Sequence, residues 1–246
     1  MSYEKPQKGN PNQFVIQQHF HTAHCIGKFA GKNNKVEVRY IKSDLVEYKD
    51  KRAKLFCAQR CWDESSEKGL MAKIEHDFHN QINNIKPYDI RDHQAISQYF
   101  LLWRIRHYLY TSPEQELTLN GISGSSLTKC EEETIEKKWG MFSRENGVIP
   151  SRFISGLQIK IQLFRQWHQV QHLKWGLLKA TDGEFLVADS YRELPLMPIS
   201  PKLAFYVGGK DSSIDIQTLA KINQRSIESA INFYFAKKLD ECPVLS

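Results

Sequence analysis

WGLLKATDGEFLVADSYRELPLMPISPKLAFYV, residues 175–207, decides the fold. Its apolar runs are short, and Gly, Pro and Asp punctuate them. Trp175, Leu177 and Leu178 run into Thr181-Asp182-Gly183, where Asp-Gly carries the chemistry of a tight turn. Residues 185–187 are apolar and lead to the polar pair Asp189-Ser190. Residues 194–199 form another run, broken by Pro195 and Pro198. Residues 203–207 form a last one, stopped by Gly208-Gly209. Runs of this length between turn signals predict the strands of a small antiparallel meander.

Upstream, the pattern is mainly helical. Residues 153–172 carry the longest helix, entered through Pro150 and striped by Leu157, Ile161 and Phe164. Leu70, Ile74, Phe78, Ile82 and Ile85 recur at helical spacing behind Ser65 or Ser66 as cap. A second helix starts near Asp89 with Ile96, Phe100, Trp103 and Tyr108, and 131–142 reads as a short charged one. Residues 114–128, with Gly121 and Gly124, read as a loop. Near the start, 22–30 suits a short helix and 31–34 a turn. Val36, Val38 and Tyr40 then alternate with Glu37 and Arg39, predicting a half-buried strand over 35–41 that pairs with 46–48. After the meander, Asp211-Ser-Ser213 is expected to cap a final helix carrying Leu219, Ile227, Ile231 and Tyr234. The class is therefore α+β: a mainly helical domain with an N-terminal strand or hairpin and a C-terminal antiparallel meander. Residues 1–11 read as a flexible arm and 12–240 as one domain.

With 246 residues, 41% of them hydrophobic and 25% charged, the composition is globular rather than disordered. The net charge of +6 fits an acidic or nucleic-acid partner, although no dense Lys/Arg block is present. No apolar run is long enough for a membrane span, and the polar N-terminus has no signal-peptide core. The expectation is a soluble, cytoplasmic chain without a membrane partner, and a homo-oligomer is open. Five cysteines, an odd number, suggest free thiols or a metal site rather than a disulfide framework.

Several constellations carry chemistry. His19, His21, His24 and Cys25 lie within seven residues, and with Cys57 and Cys61 offer imidazole and thiolate ligands for zinc. The Cys57–Cys61 spacing and the lack of a second pair favour ordinary polar and core positions over a complete metal site. His168 and His172 stand at i and i+4, the spacing with which two imidazoles share one ligand. Gln169 stands where a zincin has its Glu, and both histidines continue the Leu157, Ile161, Phe164 stripe, so the end of a buried face is the plainer reading. Glu75 sits beside the stripe of its helix, with Arg104 and Arg106 on the next helix as candidate partners. Asp189-Ser190, at a strand end, suits either catalysis or an Asx-turn. Arg152, Lys160, Arg165 and Lys174 make the long helix basic beside Trp167 and Trp175, a pattern shared by phosphate-tracking surfaces and ordinary solvated faces. Walker, dinucleotide, nucleophile-elbow and kinase motifs are absent from the sequence.

QQHFHTAHCIGKFA (17–30), followed by KVEVRYI, resembles the His-rich opening HHYVPQFYLRNF of a large bacterial family catalogued only as a domain of unknown function. KIEHDFHNQI (73–82) resembles that family's Glu-bearing helix, and QYFLLWRIRHYL (98–109) its helix with a central Arg. EFLVADSYREL (184–194) and MPISPKLAFYV (197–207) resemble its SDNP-like and LSPK-like segments. Thr22 replaces the opening Pro, and Ala188-Asp189-Ser190-Tyr191 lacks the Asn and Pro. The resemblance carries over His19, Glu75, Arg104 or Arg106, and Asp189. It implies a setting in phage defence and brings no reaction with it.

The expected function is an antiviral, phage-defence effector acting hydrolytically on nucleic acid or nucleotides. His19, Glu75 and Asp189 would be catalytic, the carboxylates holding a divalent metal ion and His19 acting as base, with Arg104 or Arg106 on phosphate and His168 and His172 as further ligand-binding residues. Two alternatives stand beside it. One is a non-catalytic sensor or toxin-like protein that binds a phage protein through 114–128. The other is a zinc-stabilised structural protein.

Overall fold

The computed structural model describes residues 3–31, 33–191 and 194–245. Met1 and Ser2 of the expected arm, Lys32 of the expected turn, and Arg192 and Glu193 of the 184–194 segment lie outside the described residues. In chain order the elements are β1 (Gln17–His19), α1 (Ala23–Gly27), β2 (Lys35–Tyr40), β3 (Val46–Asp50), β4 (Cys57–Gln59), α2 (Ala72–Asn83) and α3 (His93–Thr111). There follow β5 (Leu117–Thr118), α4 (Lys129–Lys137), β6 (Val148–Ile149), α5 (Ser151–Val170), β7 (Trp175–Ala180), β8 (Val187–Ala188), β9 (Leu196–Ser200), β10 (Leu203–Val207), β11 (Ser212–Ile214), α6 (Ile216–Ser229) and β12 (Phe233–Ala236). The class is α+β, as the sequence predicts.

The C-terminal strands depart from a simple meander. One sheet runs β11-β7-β10-β9, with β11 parallel to β7 and the other pairs antiparallel. β8, expected inside that sheet, leaves it and joins β3-β2-β12-β8 at the other end of the chain. β8 is only two residues long, and both are buried, so it is used as a bridge between layers. The final helix also differs from expectation. Asp215 caps it by accepting from Thr218 N at 2.8 Å, while 212–214 is strand. Ile231 and Tyr234 lie beyond its end, and Phe233-Tyr234-Phe235 alternates as β12, burying both phenylalanines against β2 and β8.

The helices start where polar side chains can satisfy orphan amides. Thr22 caps α1, and Thr128 makes a reciprocal box with Glu131 at α4. Asp92, rather than Asp89, caps α3 through Ala95 N at 3.0 Å. Asp63, rather than Ser65 or Ser66, receives Ser66 N at 3.0 Å and opens a π-helical turn over Ser66–Met71 ahead of α2. Gly156 of α5 lies directly against Asp63, a contact that a Cβ would block. α3 is buried nearly all round and is the central post. Its Ser97 receives the Trp175 indole N–H at 2.8 Å, and its His93 receives Trp175 N at 3.0 Å, which docks β7 on it.

Where a flexible arm is expected, residues 4–14 are tied down. Gln7 and Asn12 donate to Glu133, and the Glu4 carboxylate meets Arg144, Arg152 and Lys129. Burial opposes ionisation of Glu4, yet these three cations pull its carboxyl down to about 2. Beneath it, Glu136 Oε2 accepts from Arg60 and from Arg152, both at 2.8 Å, and all three side chains are buried. Removing one member of such a set strands buried charge. Glu136→Ala is expected to cost about 3–5 kcal/mol in urea unfolding. A loss below about 1 kcal/mol would show that the two guanidinium groups are satisfied without it.

Candidate functional site

Two cavities gather some of the polar side chains singled out in the sequence, His19 and Glu75 in one and Arg104 in the other. The larger, about 650 Å³, lies between α3 and α5. α3 contributes Arg104, His107 and Tyr108 to its wall, and α5 contributes Gln158, Gln162 and Gln166, successive at i, i+4 and i+8. Ser190 and Glu114 also line it. Its chemistry rests on a buried pair. His107 Nε2 lies 3.3 Å from Asp189 Oδ2, and the two residues are 2% and 0% exposed. Asp189 also accepts from Ile231 N at 2.8 Å, Asn232 N at 2.9 Å and Asn232 Nδ2 at 3.2 Å. A carboxylate only accepts, so His107 must donate from Nε2. In the neutral ring this leaves the lone pair on Nδ1. Phe20 packs edge-on against the imidazole, with centroids 5.2 Å apart, and fixes its plane.

The smaller cavity, about 260 Å³, is lined by His19, Thr22, His24, Glu67, Glu75 and His79 among others. Behind it lies Arg106, 1% exposed. It is ion-paired to Glu75, stands 3.7 Å from Glu67, and stacks over the Trp62 ring. The π-helical turn brings Glu67 and Met71 within reach of this guanidinium. Burial raises the Glu67 carboxyl, against the pull of Arg106. His19 Nε2 donates to the Lys51 carbonyl at 3.1 Å, and burial lowers its pKa. Thr22 N donates to the Tyr99 hydroxyl, which is also hydrogen-bonded to His21 Nδ1 at 2.9 Å. His21 stacks on Trp103 at 3.9 Å, and its buried Nε2 has no partner. Thr22 Oγ1 lies 3.0 Å from His79 Nε2.

The expected single centre is therefore divided. His19 and Glu75 line the smaller cavity with Arg106 behind it, whereas Arg104 lines the larger one and Asp189 lies beneath it. Glu75 is engaged by Arg106, and Asp189 by His107 and the 231–232 turn, so the two carboxylates do not meet to hold one metal ion. His168 and His172 are exposed and line neither cavity. The stripe that they continue also faces outward, with Leu157 47% and Phe164 85% exposed. The zinc set does not assemble. Burial pushes the Cys25 and Cys57 thiols up to about 12 and the Cys61 thiol to about 11, away from the thiolate that zinc binds. Among the described residues no three His, Cys, Asp or Glu side chains are grouped as metal ligands would be. Sequence reasoning missed His107. Its signal was present: it lies three residues after Arg104, hence on the same side of α3. The glutamine ladder of α5 was equally legible.

No family model, curated protein or solved structure matches the chain. Among the described residues no helix is long and apolar enough to cross a membrane.

The buried His21 and half-buried His79 imidazoles carry a pH signature. Burial, helped by neighbouring histidines, holds His21 down at about 3 and His79 at about 4, against 6.5 for a free ring. Below 6.5 the unfolded chain binds these protons and the fold does not, so stability falls as pH drops from 6.5 towards 4. The melting temperature is expected to decline across that window, and His79→Gln to flatten part of the slope. A melting temperature constant between pH 7 and about 4.5 would contradict the lowered His21 and His79 imidazoles.

Proposed function

We propose that the chain is a hydrolase of nucleotides or nucleic acid, with the α3–α5 cavity as its site. The observation that carries this reading is the His107–Asp189 pair at the wall of a polar cavity of ligand size. Asp189 holds the imidazole in the tautomer whose Nδ1 takes a proton, which is the job of a general base. His107 accepts a proton from water as its oxygen forms the new bond to phosphorus. The ester P–O bond breaks, and the proton passes on to the departing oxygen. Arg104 supplies positive charge at the same wall, and the Gln158, Gln162 and Gln166 amides offer both donors and acceptors for a base edge. The resemblance of the opening, central and C-terminal segments supports a phage-defence setting for that activity.

A second reading has its own observation. The 114–128 loop exposes Leu117, Leu119 and Ile122, as a protein-binding loop would. Under this reading the chain senses a phage protein and the cavity is incidental.

The two separate cleanly. Purified wild type and His107→Asn are incubated with labelled oligonucleotides and nucleoside triphosphates, and both are expressed in bacteria challenged with a phage panel. Loss of a general base is expected to reduce hydrolysis roughly 100-fold or more and to abolish protection. Because Asp189 also holds the 231–232 turn, Asp189→Asn is read beside its melting temperature. Full protection by folded His107→Asn, with loss on replacing 117–122 by Gly and Ser, would transfer the function to the loop.

A further inference from the structure

The outer face of α5 is unexplained by either cavity. α5 carries Arg152, Lys160, Arg165 and His168, and no Asp or Glu in its twenty residues. Arg152, Phe153, Gly156, Ile159 and Val170 are buried, and Leu163 and Trp167 pack on the core. The opposite side presents Leu157, Lys160, Phe164, Arg165 and His168 to solvent, and exposed His172 and Lys174 extend it beyond the helix end. Lys160 reaches only the Ser65 hydroxyl, at 3.4 Å. Arg165, His168, His172 and Lys174 have no ion-pair partner among the described residues. The Phe164 ring, 85% exposed, contributes almost nothing to the core.

An apolar ring on a solvent face invites a partner, and the charge says which kind. A second copy packing α5 on α5 would set Lys160 and Arg165 against their own equivalents, and like charges across an interface repel. The partner must be anionic and must also bring flat apolar surface to Phe164. Single-stranded nucleic acid has both, phosphates for the cations and base faces for the ring. A duplex buries its base faces in the stack. We infer that this face is a track for single-stranded nucleic acid. From Lys160 to His168 it spans roughly 12 Å along the helix. It runs beside Gln158, Gln162 and Gln166, so a strand lying on it passes the edge of the α3–α5 cavity. The inference shares with the proposed function only the substrate class; binding on α5 does not depend on His107.

The test is fluorescence anisotropy of a labelled twelve-residue oligothymidine with the full chain. Wild type is expected to bind with an affinity that falls steeply with salt. Phe164→Ala is expected to weaken binding roughly 10- to 100-fold, the loss of one stacked base. The pair Lys160→Glu and Arg165→Glu is expected to abolish it and flatten the salt dependence, with unchanged melting temperatures. His107→Asn is expected to bind as wild type even where hydrolysis is lost. Binding unaffected by the α5 changes, or no salt-dependent binding by wild type, overturns the track and leaves the His107 reading standing. Equal competition by polyglutamate, capture by phosphatidylserine vesicles, or a wild-type dimer split by Phe164→Ala would each assign the face to another partner and overturn it as well.

Discussion

Asp189 is wholly buried, and a buried carboxylate persists only where donors surround it. Its donors come from two places: the imidazole of α3, and the two backbone amides and one side-chain amide of the 231–232 turn. These contacts explain why β8 leaves the C-terminal sheet. Pairing with β12 puts Ala188 opposite Tyr234, and Asp189 then meets the turn that precedes β12. Asp189 N itself donates to the Phe233 carbonyl at 3.1 Å. One side chain thus fixes the junction of α6 with β12 and orients a histidine on the central helix. Structural and chemical readings of this Asp are not alternatives, because the rigidity of the turn is what holds the imidazole in place.

The central helix shows how a buried element distributes polar groups. Successive residues on a helix point about 100° apart. Arg106 and His107 are neighbours in sequence and therefore serve different cavities, one facing Glu75 and the other Asp189. Arg104, three residues before His107, lines the same wall as that imidazole. Each buried ionisable group on α3 finds a counterpart from outside the helix, which a nearly all-buried helix requires. The same rule governs the far side of the molecule, where Glu136 lies between Arg60 and Arg152, and Glu4 binds the N-terminal segment down.

Local signals were legible where one residue determines the outcome. The short helix read over 22–30 and the alternation through Val36 and Val38 led directly to α1 and β2. Glu75 facing an Arg on the next helix was also readable, since a carboxylate beside an apolar stripe needs a cation. What failed depends on distant partners. Asp211 looks like a helix cap, yet Arg91, 120 residues away, takes it as a bidentate partner, and Asp215 caps instead. The pairing of β8 with β12 spans more than forty residues, and no spacing within 175–207 announces it. His107 shares a side of α3 with Arg104, but that spacing does not name its acceptor, Asp189, which lies 82 residues away.

The long helix α5 has the most informative failure. It has two apolar stripes: Leu157, Ile161 and Phe164 on one side, Phe153, Ile159, Leu163, Trp167 and Val170 on the other. Periodicity identifies both and cannot choose between them, since each repeats every three to four residues. Composition breaks the tie. The stripe that goes inside is the heavier one and bears Gly156, which admits the close approach of Asp63. The stripe that stays outside is interleaved with Lys160 and Arg165, charges with no neighbour to satisfy them inside, and with the polar His168. Folding alone has no use for Phe164 where it stands: a polar residue there would keep the helix and lose no burial. An apolar ring retained among unpaired cations therefore points away from the core and towards a partner that supplies both negative charge and a flat surface.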